Sequence, residues 1–270
     1  VNIKWVFNVA DGDPSRQANN IEDLITQGVD IVSARAEDAG AINASIRAAK
    51  SAGIPFITFD RKSGSVAPTA HVGGDSYDQA LTTGRAFADL LASKGVTGKC
   101  IELQGALTDI NAVQRTKGWA EVVAERSEVS TITQVPTEWN PELFRSGLAN
   151  ALRANPDANC AFIASDFAIT AVQAALEEAD KWYPSGHPKH FWLATQDVLP
   201  GAVPLMEAKY IDVSTSYDAF AHSQEMVRVA IAIHKGEDPG CSADGCLAKG
   251  RVVTPATIGT IENLWSKTYK

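Results

Sequence analysis

The stretch AINASIRAAKSAGIPFITFDR, residues 41 to 61, carries the reading of the fold. Ile42, Ile46 and Ala49 recur at the spacing of one helical face, and Gly53 follows as the kind of residue on which helices end. PFITFD (55 to 60) then reads as a short, buried, aromatic and β-branched strand. The strand closes on Asp60-Arg61, an acid and a base placed where a buried element runs out. A helix handing over to a buried strand within so few residues is the signature of parallel strands joined by helices.

The same pattern extends in both directions. Upstream, NNIEDLITQG sets Ile21, Leu24 and Ile25 on one face, stops at Gly28 and leads into VDIVSA (29 to 34). Asp13-Pro14 reads as a cap with proline in the first helical turn. Further strands are expected at IKWVFNVA (3 to 10), AHVGGD (70 to 75), CIELQG (100 to 105) and STITQVP (130 to 136). NCAFIAS (159 to 165), FWLATQD (191 to 197) and IDVSTSY (211 to 217) complete the set. Nine or ten strands are too many for one compact sheet of about five or six, which favours two Rossmann-like α/β lobes with parallel sheets and a ligand cleft between them. The join is expected at SKGVTGKC (93 to 100) and the last crossing near VVTPATIG (252 to 259). Residues 1–97 with about 218–252 then form an N-terminal lobe, and 98–217 with about 253–270 a C-terminal one.

Composition removes several classes of function. The 270 residues are 45% apolar and 21% charged, with a net charge of −8. The sequence pI is near 5.2, which gives no general basic field for nucleic acid, and the longest apolar runs are far too short to span a bilayer. No G-x-S-x-G elbow or phosphate loop is present, and the five histidines (71, 187, 190, 222, 234) show no metal spacing. ADGDPSRQAN (10 to 19) lacks the spaced acids of a calcium loop. No catalytic residue, metal or cofactor is therefore expected. Cys241 and Cys246, in the Gly/Pro/Asp-rich DPGCSADGCLAKG, suit a local disulfide. Cys100 and Cys160 each open an apolar strand, either as small buried hydrophobes or as a second bridge. The cysteines together lean towards an oxidising compartment.

In open parallel sheets ligands bind beyond the carboxyl ends of the strands. Those ends hold Asp60-Arg61, the run Thr108 to Asn111, Glu138-Trp139-Asn140, Ser165-Asp166, Gln196-Asp197 and Ser216-Tyr217. Fixed donors and acceptors with one flat aromatic suit a neutral ligand rich in hydroxyls, whose C–H face can lie on an indole. Arg61 can donate a planar fork while Asp60 accepts from two hydroxyls. The same pair could also serve only as a strand-end ion pair, and Trp139 only as a packing residue.

The order SRQANNIEDLITQGVDIV, AGIPFITFDR, KCIELQG, NAVQRTKGW, EWN, CAFIASD and a late QD resembles the periplasmic sugar-binding proteins of the ribose-binding type. These are class I solute-binding components of ABC importers, and the effector domains of LacI-type repressors are similar. The resemblance covers essentially the whole chain. It implies that Asp60 and Arg61 are the ligand-binding acid and base, that Trp139 stacks on a sugar, and that Ser165, Asp197 and Ser216 contact it. By the same resemblance, Asn111 and Arg115 are expected in the segment that opens a helix facing the cleft. Val113 stands where some members carry an arginine, and Gln196 where an aromatic usually precedes the acid. The function implied is capture of a monosaccharide or polyol by a monomer that delivers it to an ABC permease. Its location would be the periplasm or cell exterior, anchored at the surface in a Gram-positive organism. A repressor's effector domain is the alternative. Family members also carry a strand and helix ahead of the unit that begins here, and the natural protein is expected to have them.

Overall fold

A computed structural model describes residues 1–241, 245–261 and 264–268 of the protein. In chain order the elements are α1 (Pro14–Thr26), β1 (Val32–Ala34), α2 (Ile42–Ser51), β2 (Phe56–Phe59), β3 (Ala70–Gly74), α3 (Ser76–Lys94) and β4 (Gly98–Gln104). They continue as α4 (Ile110–Glu125), β5 (Val129–Pro136), α5 (Pro141–Ala154), β6 (Cys160–Ile163), α6 (Ile169–Glu178), β7 (Trp192–Asp197) and α7 (Ala202–Glu207). The last are β8 (Val213–Ser216), α8 (Ala219–His234), β9 (Cys246–Ala248), β10 (Val252–Val253) and α9 (Trp265–Thr268). The chain divides into two compact units, the first of Val1–Gly74, Thr108–Asn111 and Ala219–Ala248, the second of Asp75–Leu107, Ala112–Asp218 and Lys249–Lys270.

The first unit is built on a parallel sheet in the order β1-β2-β3-β9. Asp13 caps α1 by accepting from the Ser15 and Arg16 amides, with Pro14 at the first helical position where its missing N–H costs nothing. Ile21, Ile42, Ile46, Ala49 and Phe56 form the core under α1 and α2, and Ile57, Val72 and Val229 the core under α8. Phe56 and Ile57, adjacent in sequence, point to opposite faces, which is why this strand is apolar without alternation.

The second unit holds a sheet in the order β10-β8-β7-β6-β4-β5, parallel except for β10 against β8. On one face Cys160 and Phe162 pack with Phe87, Leu91 and Trp119 of α3 and α4. On the other, Ala161 and Ile163 pack with Phe144, Leu148, Val172 and Leu176 of α5 and α6. Cys100 and Cys160 are register partners on neighbouring strands and are joined by a disulfide. A second disulfide links Cys241 and Cys246 in the first unit.

Three sequence expectations differ from the structure. Residues 3–10 form no strand: Val6 and Phe7 lie exposed and Trp5 stacks on Phe7. Apolar alternation alone does not make a strand, because the backbone also needs a ladder partner, and among the described residues this segment has none. The first crossing falls at Gly74/Asp75 rather than at 93–100, since Ala80, Phe87, Ala88 and Leu91 place α3 in the same core as Phe162, Ala194 and Val213. The last crossing falls at Ala248/Lys249 rather than at 252–259, because β9 pairs with β3 whereas β10 pairs with β8. The Gly/Pro-rich composition around β9 hid a strand that completes the first sheet.

Candidate functional site

In the first unit the polar groups gather where β2 ends. Asp60 sits at φ 62°, a left-handed conformation that Asp tolerates better than most residues and that turns the chain sharply off the strand. Its carboxylate accepts from Arg35 Nε at 2.7 Å, and its carbonyl accepts from Asn111 Nδ2 at 3.1 Å. Arg61 is buried; Nε lies 2.8 Å from Asp109 Oδ2, and Nη1 lies 3.4 Å from the Ala36 carbonyl and 3.8 Å from Glu37. Burial works against its charge and lowers its pKa despite the Asp109 carboxylate. Asp109 also accepts from the Asn111 amide at 2.9 Å, so the inserted run 108–111 orients both strand-end residues.

In the second unit Arg115, from the first turns of α4, reaches the end of β7. Nη2 lies 2.6 Å from Asp197 Oδ1 and Nη1 3.3 Å from Oδ2, a two-point pairing. Arg115 also donates to the Ala164 carbonyl at 2.6 Å and to Gln79 Oε1 at 3.3 Å. Ser165 Oγ donates to Asp197 Oδ2 at 2.5 Å. Ser216 is the register partner of Asp197 on β8 and is buried beside it. Asp166 is fully buried; desolvation first, and the Asp197 charge second, push its carboxyl well above the usual range.

Trp139 completes this constellation. The residue lies in a left-handed pair with Glu138, at φ 55° and 50°. A Cβ built on Gly105 would fall 2.1 Å from the Trp139 ring, so the glycine of IELQG is what lets the indole lie over the end of β4. Phe167, partly exposed, meets that ring edge-on at 5.9 Å. Five of the eight described non-glycine residues with positive φ are Asp60, Glu138, Trp139, Asp197 and Val198. Strained backbone of this kind persists where surrounding structure holds it, and here it concentrates at the strand ends.

The structure therefore brings Asp60, Arg61 and Asn111 together in one unit, and Arg115, Ser165, Asp197 and Ser216, with Trp139 at a neighbouring strand end, in the other. Gln196 is placed differently: it pairs in register with Thr215, shares the α3 face with Ala194 and is fully buried. The sequence reading missed Arg35, Glu37, Gln79 and Phe167 as neighbours of these groups. Asp109 and Asp166 lay inside strand-end runs that sequence had already singled out. Glu225, Cys241 and Cys246 lie close together, but the two sulfurs are bonded to each other and are not available as thiolate ligands. Among the described residues no helix is long and apolar enough to cross a membrane.

Parallel α/β sheets in two units, joined by several crossings and carrying polar groups at their carboxyl ends, define the type I fold of periplasmic binding proteins. The chain belongs to the periplasmic binding protein domain family, whose sequence profile matches residues 2–238. It is 27% identical over 169 residues to the ribose import binding protein of Escherichia coli, covering 62% of this chain and 55% of that protein. It is 26% identical over 174 residues to the D-apiose import binding protein of Paraburkholderia graminis, covering 64% and 55%. The match thus spans little more than half the length of these relatives. A solute binding protein of an ABC transporter from Bacillus halodurans, solved with bound myo-inositol, superposes with a TM-score of 0.85 over 98% of this chain and 87% of that one. At 21% identity that likeness shows the fold.

Proposed function

We propose that the protein binds a monosaccharide or related polyol and delivers it to an ABC-type permease, acting as a monomer in the periplasm or at the cell exterior. The observation that carries this reading is the pairing of Asp197 with both Arg115 and Ser165, with the Trp139 indole laid over Gly105. Such a set offers oriented donors and acceptors to hydroxyls and an aromatic face to ring C–H groups. Asp60, Arg61 and Asn111 supply the complementary polar groups of the first unit. Relatives whose names give ribose, D-apiose and xylitol as their ligands support the class of ligand. The relatives are solute-binding proteins rather than enzymes, and the reading is non-catalytic: candidate sugars are expected to be bound and released unchanged.

Differential scanning fluorimetry against D-ribose, D-apiose, xylitol, myo-inositol and a set of hexoses tests it. A ligand at about 100 times its Kd stabilises the folded state by roughly 2.7 kcal/mol, a shift of several degrees. A panel in which no carbohydrate or polyol raises Tm overturns the reading.

A further inference from the structure

Asp166 follows the candidate ligand residue Ser165 and lies almost entirely out of solvent, at 1% exposure. Its two oxygens are occupied from one direction. Oδ1 accepts from the Leu199 amide at 2.9 Å; Oδ2 accepts from the Val198 amide at 3.0 Å and from Thr195 Oγ1 at 3.3 Å. Those groups flank Asp197 on both sides along the chain. The backbone they hold is unusual, with Asp197 at φ 89° and Val198 at φ 51°. A β-branched residue in the left-handed region is a costly conformation, by about 1–3 kcal/mol, and persists only where fixed partners impose it.

Ser165 and Asp166 thus hold Asp197 by two different handles. Ser165 bonds to the Asp197 side chain, and Asp166 takes the two backbone amides that follow it. We infer that Asp166 is a positioning residue of the ligand site, which fixes the turn after β7 so that the Asp197 carboxylate is aimed at Arg115 and at ligand. The inference rests on the reading of Asp197 as a ligand-binding carboxylate. Buried as it is, Asp166 acts through Asp197 and not by touching ligand.

A double-mutant cycle separates positioning from plain structural support. Asp166→Asn, Asp197→Asn and the double variant are titrated calorimetrically with whichever of D-ribose, D-apiose, xylitol, myo-inositol or the hexoses raises the wild-type Tm most. Asp166→Asn is expected to weaken binding about 10-fold in the wild-type background and less than about 2-fold beside Asp197→Asn, because residues acting through one another are not additive. Equal losses in the two backgrounds overturn the inference. Should Asp166→Asn fail to fold, the same cycle with Thr195→Val removes one bond to Asp166, with about a 3-fold loss expected only when Asp197 is intact. If wild type responds to none of these probes, the ligand reading is what fails, and amide exchange decides the rest. The Val198 and Leu199 amides should then exchange at least about 10-fold faster in Asp166→Asn while those of β6 stay unchanged, and unchanged exchange at both amides refutes the positioning role.

Discussion

The two units solve the same problem with different degrees of burial. Each ends its sheet in an acid held at positive φ beside an arginine, Asp60 in the first and Asp197 in the second. In the first, the partner of that acid is Arg35, whose side chain is half exposed, while Arg61 is turned to the buried Asp109. In the second, acid and arginine are both buried and bonded at two points. The same residue types therefore carry different consequences. Removing one partner of a buried pair strands a charge away from water, whereas removing one partner of a half-exposed pair leaves the other to be solvated.

The largest expected effect breaks this comparison at its strongest point. Asp197→Ala should abolish detectable sugar binding and lower unfolding stability by about 3–5 kcal/mol, because Arg115 is left buried without its carboxylate. Asp60→Ala should weaken binding by about 10-fold or more while costing under about 1 kcal/mol, since Arg35 can turn to solvent. Urea unfolding and titration calorimetry on both variants check the pair. Equal stability losses would mean that burial does not distinguish the two sites.

The units should also respond to pH with opposite sign. In the first, His71 is buried on β3, bonded to Thr58, and burial lowers its pKa to about 4. The unfolded chain takes up this proton below about 6.5, the folded one only near 4, so stability falls as pH drops across that window, by up to about 3 kcal/mol. In the second, burial opposes the charge on His190, but its bonds to Asp212 and to the Tyr183 carbonyl outweigh that and raise its pKa. That contribution is complete below about 6.5 and is lost as pH rises through the raised value. Hydrogen exchange measured across pH 4–8 should show β3 loosening towards acid and β7 and β8 towards base. His71→Gln should flatten the acid limb, and an unaltered limb would assign it to other groups.

Sequence disclosed most of the frame and only part of the site. Interior strands such as β2, β4 and β6 were readable because both of their faces are buried, so PFITFD, CIELQG and NCAFIAS are apolar runs with polar ends. The strand expected at 3–10 had the same texture, and what it lacked, a ladder partner, is not a property of its own residues. β9 had the opposite problem, a real partner in β3 and a loop-like composition. At the candidate site, strand-end position and residue type pointed to Asp60, Arg61, Ser165 and Asp197, and the family resemblance to Arg115. Neither could say that Arg61 turns towards Asp109, or that Gln196, one residue from Asp197, faces the α3 side. That last distinction is the two-residue period of a strand, legible only once the register of β7 against β8 is known.

The two disulfides extend the contrast to the unfolded chain. Cys100 and Cys160 are 60 residues apart, Cys241 and Cys246 only 5. Loop-closure entropy gives about 4 kcal/mol for the long loop and about 2 for the short one. Replacing each pair by alanine and comparing unfolding midpoints should recover a difference near 2 kcal/mol. An equal or reversed cost would show that packing around the sulfurs, not chain entropy, sets their contribution.

The smallest effect is the most diagnostic of the first unit. Arg35→Ala removes an exposed partner and should change stability by less than about 1 kcal/mol, because water replaces the guanidinium at the rim of the Asp60 carboxylate. Binding should still weaken, by about 3-fold, because Asp60 loses the shorter of the contacts that orient its carboxylate: Arg35 Nε lies at 2.7 Å from it, whereas Asn111 Nδ2 mainly holds the carbonyl, at 3.1 Å, and reaches the carboxylate only at 3.5 Å. Arg115→Ala is the matching variant in the second unit, and there stability and affinity should fall together, since that guanidinium also carries the Ala164 carbonyl. If Arg35→Ala instead lowers Tm as far as Arg115→Ala does, the Arg35–Asp60 pair is part of the first unit's structural core. Asp60 would then be a strand-end ion pair, and ligand contact in that unit would fall to Arg61 and Asn111.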